Sequence, residues 1–471
     1  MNKLKNSLRE AMEAAGLRSG MTVSFHHHLR NGDHVLNMVL DEAARMGVRD
    51  LTVQASSVFP VHAPLIGHIQ SGVVTGLETC YLSGPVAEAI SHGLMDRPVL
   101  FRSHGGRAAA IAEGRAHIDI AFIAAPSADP AGNLNGVDGP AACGSLGYAF
   151  ADARFADTVV AVTDHLVPYP LAPVSIDETQ VDYVARVDCI GDPRGIVSGT
   201  TSMTRDPVAL RIADYAARVM AASGLMREGF SFQTGAGGAS LAVTEYLKPL
   251  MRERGVTADF GMGGITGAMV DMLENGFVRQ LLDVQCFDLR AVRSIRENPR
   301  HIEIPAIRYA APIRRGSAVD RLSCVVLGAT EIDTDFNVNV HTDSSGGIIG
   351  GSGGHSDTAA GAALTLIVAP LFRARLPIVV DRAGCVSTPG STVDALVTQR
   401  GIAVHPRRPD LRDALLRARL PVYDIHDLQA MAQRLTGVPD RPAHGDRVVG
   451  LVEYRDGSII DRIYSAGAGR E

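Results

Sequence analysis

Short apolar, β-branched runs alternate with alanine- and leucine-rich stretches along nearly the whole chain, and this rhythm limits the possible folds more than any other feature. Val99-Leu100-Phe101, Ile118 to Ile123, Thr158 to Val162, Val325 to Leu327 and Leu376 to Val380 have the length and residue types of buried strands. Strands separated by helices are joined by crossovers, which makes their sheets mainly parallel and the fold class α/β. At 471 residues the chain exceeds what one core usually supports, so two domains are expected.

Two internal echoes point to a duplicated module. GPVAEAISHG (Gly84 to Gly93) and GAMVDMLENG (Gly267 to Gly276) share glycine at both ends and an acid at one offset, Glu88 and Asp271. Each reads as a helix with a glycine stop. HGGRAAAIAEGRAHIDIAFIAAP and SGGHSDTAAGAALTLIVAP are each a Gly-Gly turn, an alanine-rich helix and an apolar run ending in Ala-Pro. The boundary is expected in the polar segment SGTTSMTRDP, dividing the chain into modules 1–205 and 206–471, with Asp206-Pro207 opening a helix through Met220. The tail reads as a hairpin around Asp456-Gly457, and Leu4, Leu8, Met12 and Ala15 fall on one face of an N-terminal helix.

A net charge of -6 without a basic run gives no electrostatic footprint for nucleic acid. No apolar run is long enough to span a bilayer, and the N-terminus lacks the apolar region of a secretory signal, so neither membrane nor export is expected. The six cysteines, at 80, 143, 189, 286, 324 and 385, show neither a C-x-x-C pair nor histidine at zinc spacing. A reducing cytoplasm fits best, with no structural metal.

The densest chemical signal is HTDSSGGIIGGSGGHSDTAAGAA, with six glycines in the nine residues from Gly346 to Gly354. A strand, a glycine turn and a helix opened by Ser356 or Asp357 form a cradle for an anion or oxyanion, with backbone N–H groups of Gly353 and Gly354 as donors. The plain structural alternative is that the glycines only allow tight helix–sheet packing. The cluster lacks the lysine of a phosphate-binding P-loop. Gly350-Gly351-Ser352-Gly353-Gly354 does match G-x-S-x-G, so a serine thioesterase or hydrolase with Ser352 as nucleophile is the enzymatic alternative. That reading needs an acid and then a histidine downstream, and His405, His426 and His444 lie in segments without clear strand-and-loop support. TGAGGAS and FGMGGITG miss the last glycine of a dinucleotide fingerprint.

FQTGAGGASLAV repeats the strand, glycine turn and helix pattern, with Gly235, Gly237 and Gly238 in the turn and Ser240 in the first helical turn. SFHHHLRNGD and RSHGGRA place His26, His27, Arg30, His104 and Arg107 near strand ends. Adjacent histidines on an extended chain alternate sides, so the three at 26–28 cannot share one metal. Histidine and arginine together suit a polycarboxylate, which needs planar bidentate donors.

SFHHHLRNGD, RSHGGRA, HIDIAFIAAPSAD, QTGAGGASLAV and above all GGSGGHSDTAAGA resemble the citrate lyase alpha chain, and the similarity runs from Met21 to about Gly457. The resemblance implies two tandem CoA-transferase-like modules, each a mainly parallel sheet flanked by helices. It implies a citrate CoA-transferase that exchanges acetyl for citryl on the pantetheine-like thiol of an acyl carrier subunit, with acetyl-CoA as surrogate. It implies a complex with a citryl-cleaving beta subunit and an acyl carrier gamma subunit, homo-oligomeric alpha chains, and no tightly bound cofactor beyond the CoA thioester or CoA-like arm that is the substrate. Related CoA-transferases use a glutamate that becomes a covalent thioester; alignment by hand puts Gly263 at that position, so the resemblance implies direct transfer through a mixed anhydride. On this reading Ser352, Gly353, Gly354 and His355 surround the reacting acyl groups, Gly235, Gly237, Gly238, Ser240, Gly346 and Gly347 receive the thioester arm, and His26, His27, Arg30, His104 and Arg107 clamp citrate. A scaffold for the other subunits is the non-enzymatic alternative, against which two glycine cradles argue.

Overall fold

The computed structural model of the chain describes residues 3–197, 204–313, 315–440 and 444–467. The first sheet is built from β1 (Leu4–Lys5), β2 (Thr22–Phe25), β3 (Leu51–Ala55), β4 (Val74–Thr79), β5 (Val99–Phe101), β6 (Ile120–Ala124), β7 (Thr158–Thr163) and β8 (Tyr183–Arg186). The second comprises β9 (Ser231–Thr234), β10 (Ala258–Ile265), β11 (Val278–Cys286), β12 (His301–Glu303), β13 (Cys324–Gly328), β14 (Thr365–Val368), β15 (Ala395–Val397), β16 (Ile402–Val404) and β17 (Val422–Tyr423). A tail hairpin, β18 (His444–Glu453) and β19 (Ile459–Ala466), returns to the first sheet, where β18 runs parallel to β5. The orders are β1-β8-β7-β6-β2-β3-β4-β5-β18-β19 and β12-β11-β10-β9-β13-β14-β15-β16-β17, parallel except for the pairs β18–β19 and β15–β16. β6, β13 and β14 are apolar runs buried on both faces, as strands covered by helices on either side must be.

Both sheets contain one five-strand pattern: β6-β2-β3-β4-β5 in the first and β13-β9-β10-β11-β12 in the second. The echoed helices form as expected, α1 (Pro85–Ser91), α2 (His104–Ala112), α3 (Pro207–Ala222) and α4 (Gly238–Arg254) being followed by α5 (Gly267–Glu274) and α6 (His355–Gly361). The echoes are nevertheless one element out of topological step. α1 lies between β4 and β5, whose counterparts β11 and β12 flank the helix Leu289–Glu297 rather than α5. α2 leads into β6, the counterpart of β13, whereas α6 leads into β14. Shared alanine and glycine content accounts for the echoes, and strand order is the true repeat.

Two elements differ from expectation. Leu376 to Val380 is not one strand: Leu376–Pro377 pairs with Phe372–Arg373 in a small hairpin, and Val379–Val380 joins a separate three-stranded sheet. Pro377 has no N–H for a continuous ladder, which fits the break. Leu4 stands in the short edge strand β1, so the N-terminal helix runs only from Leu8 to Ala14. α3 starts at Pro207 with Asp206 capping the Val208 and Ala209 N–H groups. The boundary segment just before it, residues 198–203, lies outside the described residues, and the tail hairpin belongs by its pairing to the first sheet.

The two modules meet at their glycine turns. The His104 N–H donates to the Gly353 carbonyl at 2.7 Å, and the Gly353 N–H donates to the Cys80 carbonyl at 3.1 Å. Asp357, fully buried in the first turn of α6, accepts from the Ser103 hydroxyl and the Gly105 N–H, each at 2.8 Å, at the start of α2. Arg455, from the turn of the tail hairpin, lies 3.5 Å from the same carboxylate and donates to the Ala310 carbonyl. Arg102 is held between Glu78 and Glu453. Asp357→Ala leaves the Ser103 and Gly105 donors buried without their acceptor and is expected to cost about 1–3 kcal/mol. Chemical denaturation followed by circular dichroism checks this; an unchanged midpoint would contradict it.

Candidate active site

A cavity of about 800 Å³ lies between the modules, walled by residues that follow the carboxyl ends of β2, β3, β4 and β5 on one side and β9, β10, β11, β13 and β14 on the other. Loops at these ends are where open α/β sheets hold ligands.

The first module contributes a stack of rings. His27 lies 4.8 Å from Tyr148 and 5.5 Å from His104 between ring centroids, and His104 lies 4.4 Å from Tyr148. His27 Nδ1 is 2.7 Å from the Ser56 hydroxyl, and the Gln285 amide donates to the His27 carbonyl at 2.7 Å, tying the stack to the second module. Burial holds His27 and His28 well below the ordinary histidine range, with neighbouring histidines adding to the effect. Burial, then Arg107 and Arg30, lowers His104 to about 3. These imidazoles are therefore neutral at physiological pH and act as hydrogen-bonding groups rather than cations. Arg30 supplies charge: its guanidinium sits 4.8 Å from the Phe59 ring and 5.2 Å from the Phe287 ring. Burial lowers it to about 10, so it remains a cation. Burial also raises Tyr148 and Tyr309 well above the ordinary tyrosine value, so both phenols stay protonated.

The expected site residues divide clearly. His27, Arg30, His104, Gly235, Gly237, Gly238, Ser240, Ser352, Gly353, Gly354 and His355 all lie on the wall. His26 and Arg107 sit one layer behind it, joined through buried Asp152, to which His26 Nδ1 lies at 3.0 Å and Arg107 Nη2 at 3.0 Å. The alternation of neighbouring side chains that separates His26 from His27 accounts for this. Gly346 and Gly347 are off the wall, in a turn where Asp343 accepts from the Ser345 and Gly347 N–H groups. Among the wall glycines, the Gly353 N–H is committed to Cys80 and the Gly235 N–H to the Val326 carbonyl at 2.7 Å. Gly353 has φ 51, and Gly354 could not carry a side chain, since a Cβ would stand 2.5 Å from the Tyr309 hydroxyl oxygen.

His355 is locked from both sides, with Nδ1 2.7 Å from the Thr388 hydroxyl and Nε2 2.9 Å from the Gly328 carbonyl. The Ser352 hydroxyl pairs with the Ser356 hydroxyl at 2.8 Å, and among the described residues no histidine hydrogen-bonds it. Gly263 has φ 100 at a register shift in β10, and the Gln233 amide fills the space a side chain would need, with a Cβ only 2.7 Å from its Cδ. Gln233 in turn donates to the Tyr309 hydroxyl at 2.9 Å. Among the described wall residues, Asp206 is the single carboxylate, and its oxygens cap α3. His117, Asp119 and Asp157 bring possible ligand atoms within 4.8 Å of one another but do not line the cavity.

Tyr148, Tyr309, Gln285, Phe59 and Phe287 are wall residues without a sequence signal: none adjoins a recognisable motif, and only the meeting of the modules brings them together. Gln233 heads the QTGAGGASLAV motif but does not stand out beside its glycines.

The sequence profile of the family described as "Citrate lyase, alpha subunit (CitF)" matches residues 1–466. The chain is 52% identical over 462 residues to the citrate lyase alpha chain of Escherichia coli (strain K12), covering 98% of this chain and 91% of that one. It is 51% identical over 461 residues to the citrate lyase alpha chain of Klebsiella pneumoniae, with the same coverages. A Streptococcus mutans structure described as the alpha subunit of citrate lyase in complex with citrate superposes with a TM-score of 0.97 at 50% identity, covering 99% of this chain and 92% of that chain. A Pseudomonas malonate decarboxylase hetero-tetramer in complex with malonate shares the fold at a TM-score of 0.67 and 16% identity, over 93% of this chain and 84% of that one.

Burial lowers His104 to about 3 and His355 to about 4, so the unfolded chain binds more protons than the folded one once the pH drops below about 6.5. Stability is therefore fully present above that pH and is lost as it falls toward the folded values, by about 1.4 kcal/mol per pH unit for each group. Urea midpoints between pH 7.5 and 4.5 should fall with acidification, less steeply in His355→Gln; a flat profile would contradict the neutral-histidine reading.

Proposed function

The chain belongs to the citrate lyase alpha-subunit family, whose members are citrate CoA-transferases, and from that premise we propose that a citrate carboxylate attacks the acetyl thioester directly in this cavity. Attack expels the thiolate and forms an acetyl–citryl anhydride. The thiolate then attacks the citryl carbonyl, giving citryl thioester and free acetate. Citrate is ionised at neutral pH, so the first step needs no general base. It needs alignment of two bound reactants and donors for two successive tetrahedral oxyanions.

The observation that carries this reading is that no carboxylate among the described wall residues is open to form an enzyme thioester: Asp206 is occupied as a cap, and Gly263, where alignment by hand puts the glutamate of related CoA-transferases, is packed against Gln233. Arg30, His27 and His104 are assigned to citrate, with Arg30 as the cationic partner and the neutral rings as hydrogen-bond donors. The first turn of α4, where Gly238, Ala239 and Ser240 have N–H groups without intrahelical acceptors, is assigned to the oxyanion and the arm, with Gly354 opposite. His26 and Arg107 act behind the wall, through Asp152, as supports for His27 and His104. The hydrolase reading is disfavoured because Ser352 faces Ser356 and His355 has both ring nitrogens engaged.

The family membership makes this chain a component of a multi-subunit citrate lyase. We assign it the citryl-cleaving beta subunit, the acyl carrier gamma subunit and further alpha chains as partners. All six cysteines are unbridged and no described helix is long and apolar enough to cross a membrane, which supports assembly in the cytoplasm.

CoA-labelled acetyl-CoA incubated with the purified protein should yield labelled citryl-CoA only when citrate is present, and Ser352→Ala should keep most of this transfer. Acetate release at an equal rate without citrate, abolished in Ser352→Ala, would instead establish the hydrolase. Arg30→Ala should raise the citrate KM by roughly tenfold or more, the loss of a charge-assisted bond, whereas an unchanged citrate KM would remove Arg30 from the citrate site.

A further inference from the structure

The cavity mouth differs in character from its interior. Val208, Ile349 and Phe372 are 39%, 43% and 36% exposed, come from three separate segments, and all line the opening. Beside Phe372, exposed Arg373 also lines it, and no described residue pairs with its guanidinium. Asp206, the one carboxylate among the described wall residues, accepts from the α3 N–H groups, and no ion pair joins it to Arg373 among the described residues. Phe372 and Arg373 form one strand of the small hairpin with Leu376–Pro377, whose tip holds Ala374 and Arg375 at φ 47 and 69, the left-handed pair that a two-residue turn of this kind needs. At the hairpin base the Leu371 N–H donates to Gln399 Oε1 at 2.9 Å, which fixes the amide so that its NH2 remains for a ligand. Gln399 is itself on the cavity wall.

A cation and an aromatic face on a preshaped hairpin, with an amide donor at its base, suit a flat base joined to phosphate. Resting on the transferase reading above, the geometry points to the Phe372–Arg373 hairpin as the site for the nucleotide end of the thioester carrier, with a phosphate on Arg373 and the base against Phe372. The acyl end then reaches inward to Arg30 while the charged end stays at the mouth. The site makes the carrier's nucleotide a determinant of specificity, whether it belongs to free CoA or to a prosthetic arm on the carrier subunit.

The test compares acetyl-CoA with acetyl-pantetheine, which lacks the nucleotide, in the full-length protein. In Arg373→Ala the ratio of kcat/KM for acetyl-CoA over acetyl-pantetheine should fall roughly 10- to 100-fold, while Arg30→Ala should lower both rates and keep the ratio. Binding of 3′,5′-ADP by calorimetry should weaken by a similar factor in Arg373→Ala, a readout that stands even if no citryl thioester forms and the transferase reading fails. Acetylated carrier subunit distinguishes the sources: a loss shared with acetyl-CoA assigns the site to both, and a loss with acetyl-CoA alone assigns it to the free coenzyme. An unchanged ratio with unchanged 3′,5′-ADP binding would overturn the nucleotide site, and a loss that then appears with the carrier subunit alone would place Arg373 in a protein contact instead.

Discussion

Everything in the cavity depends on the interlock of two glycine turns. Gly353 takes the His104 N–H and gives its own N–H to Cys80, while Asp357 caps the start of α2 from the opposite module. A carboxylate buried here is disfavoured by desolvation, which raises Asp357 to about 6, even though the Gly105 N–H, Arg455 and the Ser103 hydroxyl pull in the other direction. The seam is thus a set of hydrogen bonds in which each buried group needs its partner, and losing one leaves others unsatisfied. This fixes the distance between the ring stack of the first module and the glycine walls of the second.

The interior is polar without being heavily charged. Neutral imidazoles, protonated phenols and amides surround Arg30, so the positive charge is concentrated at one place. Inside a protein such fixed dipoles act more strongly than they would in water and need no reorganisation as charge moves. The Gly353 N–H, singled out by sequence as a donor, and the Gly235 N–H are used to join strands and turns rather than to face a ligand. The glycines matter there by allowing close approach, as with Gly354 against Tyr309.

The α/β class, the two sheets and most strand positions were legible, because runs such as Ile120–Ala124 and Cys324–Gly328 are buried on both faces and their residue types record it. Pairing was not: the echoed segments misstate the repeat by one element, and nothing local shows that residues 444–466 return to pair with β5. The glycine turns and His27, Arg30 and His104 were found from motifs at strand ends. Gly346 and Gly347 belong to the same glycine run, yet Asp343 turns them away from the wall. Gln285 and Tyr309 could not be found, since no motif adjoins them and their place on the wall comes from tertiary contacts, such as the Gln285 bond to the His27 carbonyl and the Gln233 bond to the Tyr309 hydroxyl.

The central claim is direct transfer between two substrates bound together, with no acyl group or CoA left on the enzyme. Initial velocities measured over a grid of acetyl-CoA and citrate concentrations test it most directly. The account predicts double-reciprocal lines that intersect, as a ternary complex requires. Parallel lines, with a thioester or acyl adduct on the protein detected by mass spectrometry after acetyl-CoA alone, would contradict it.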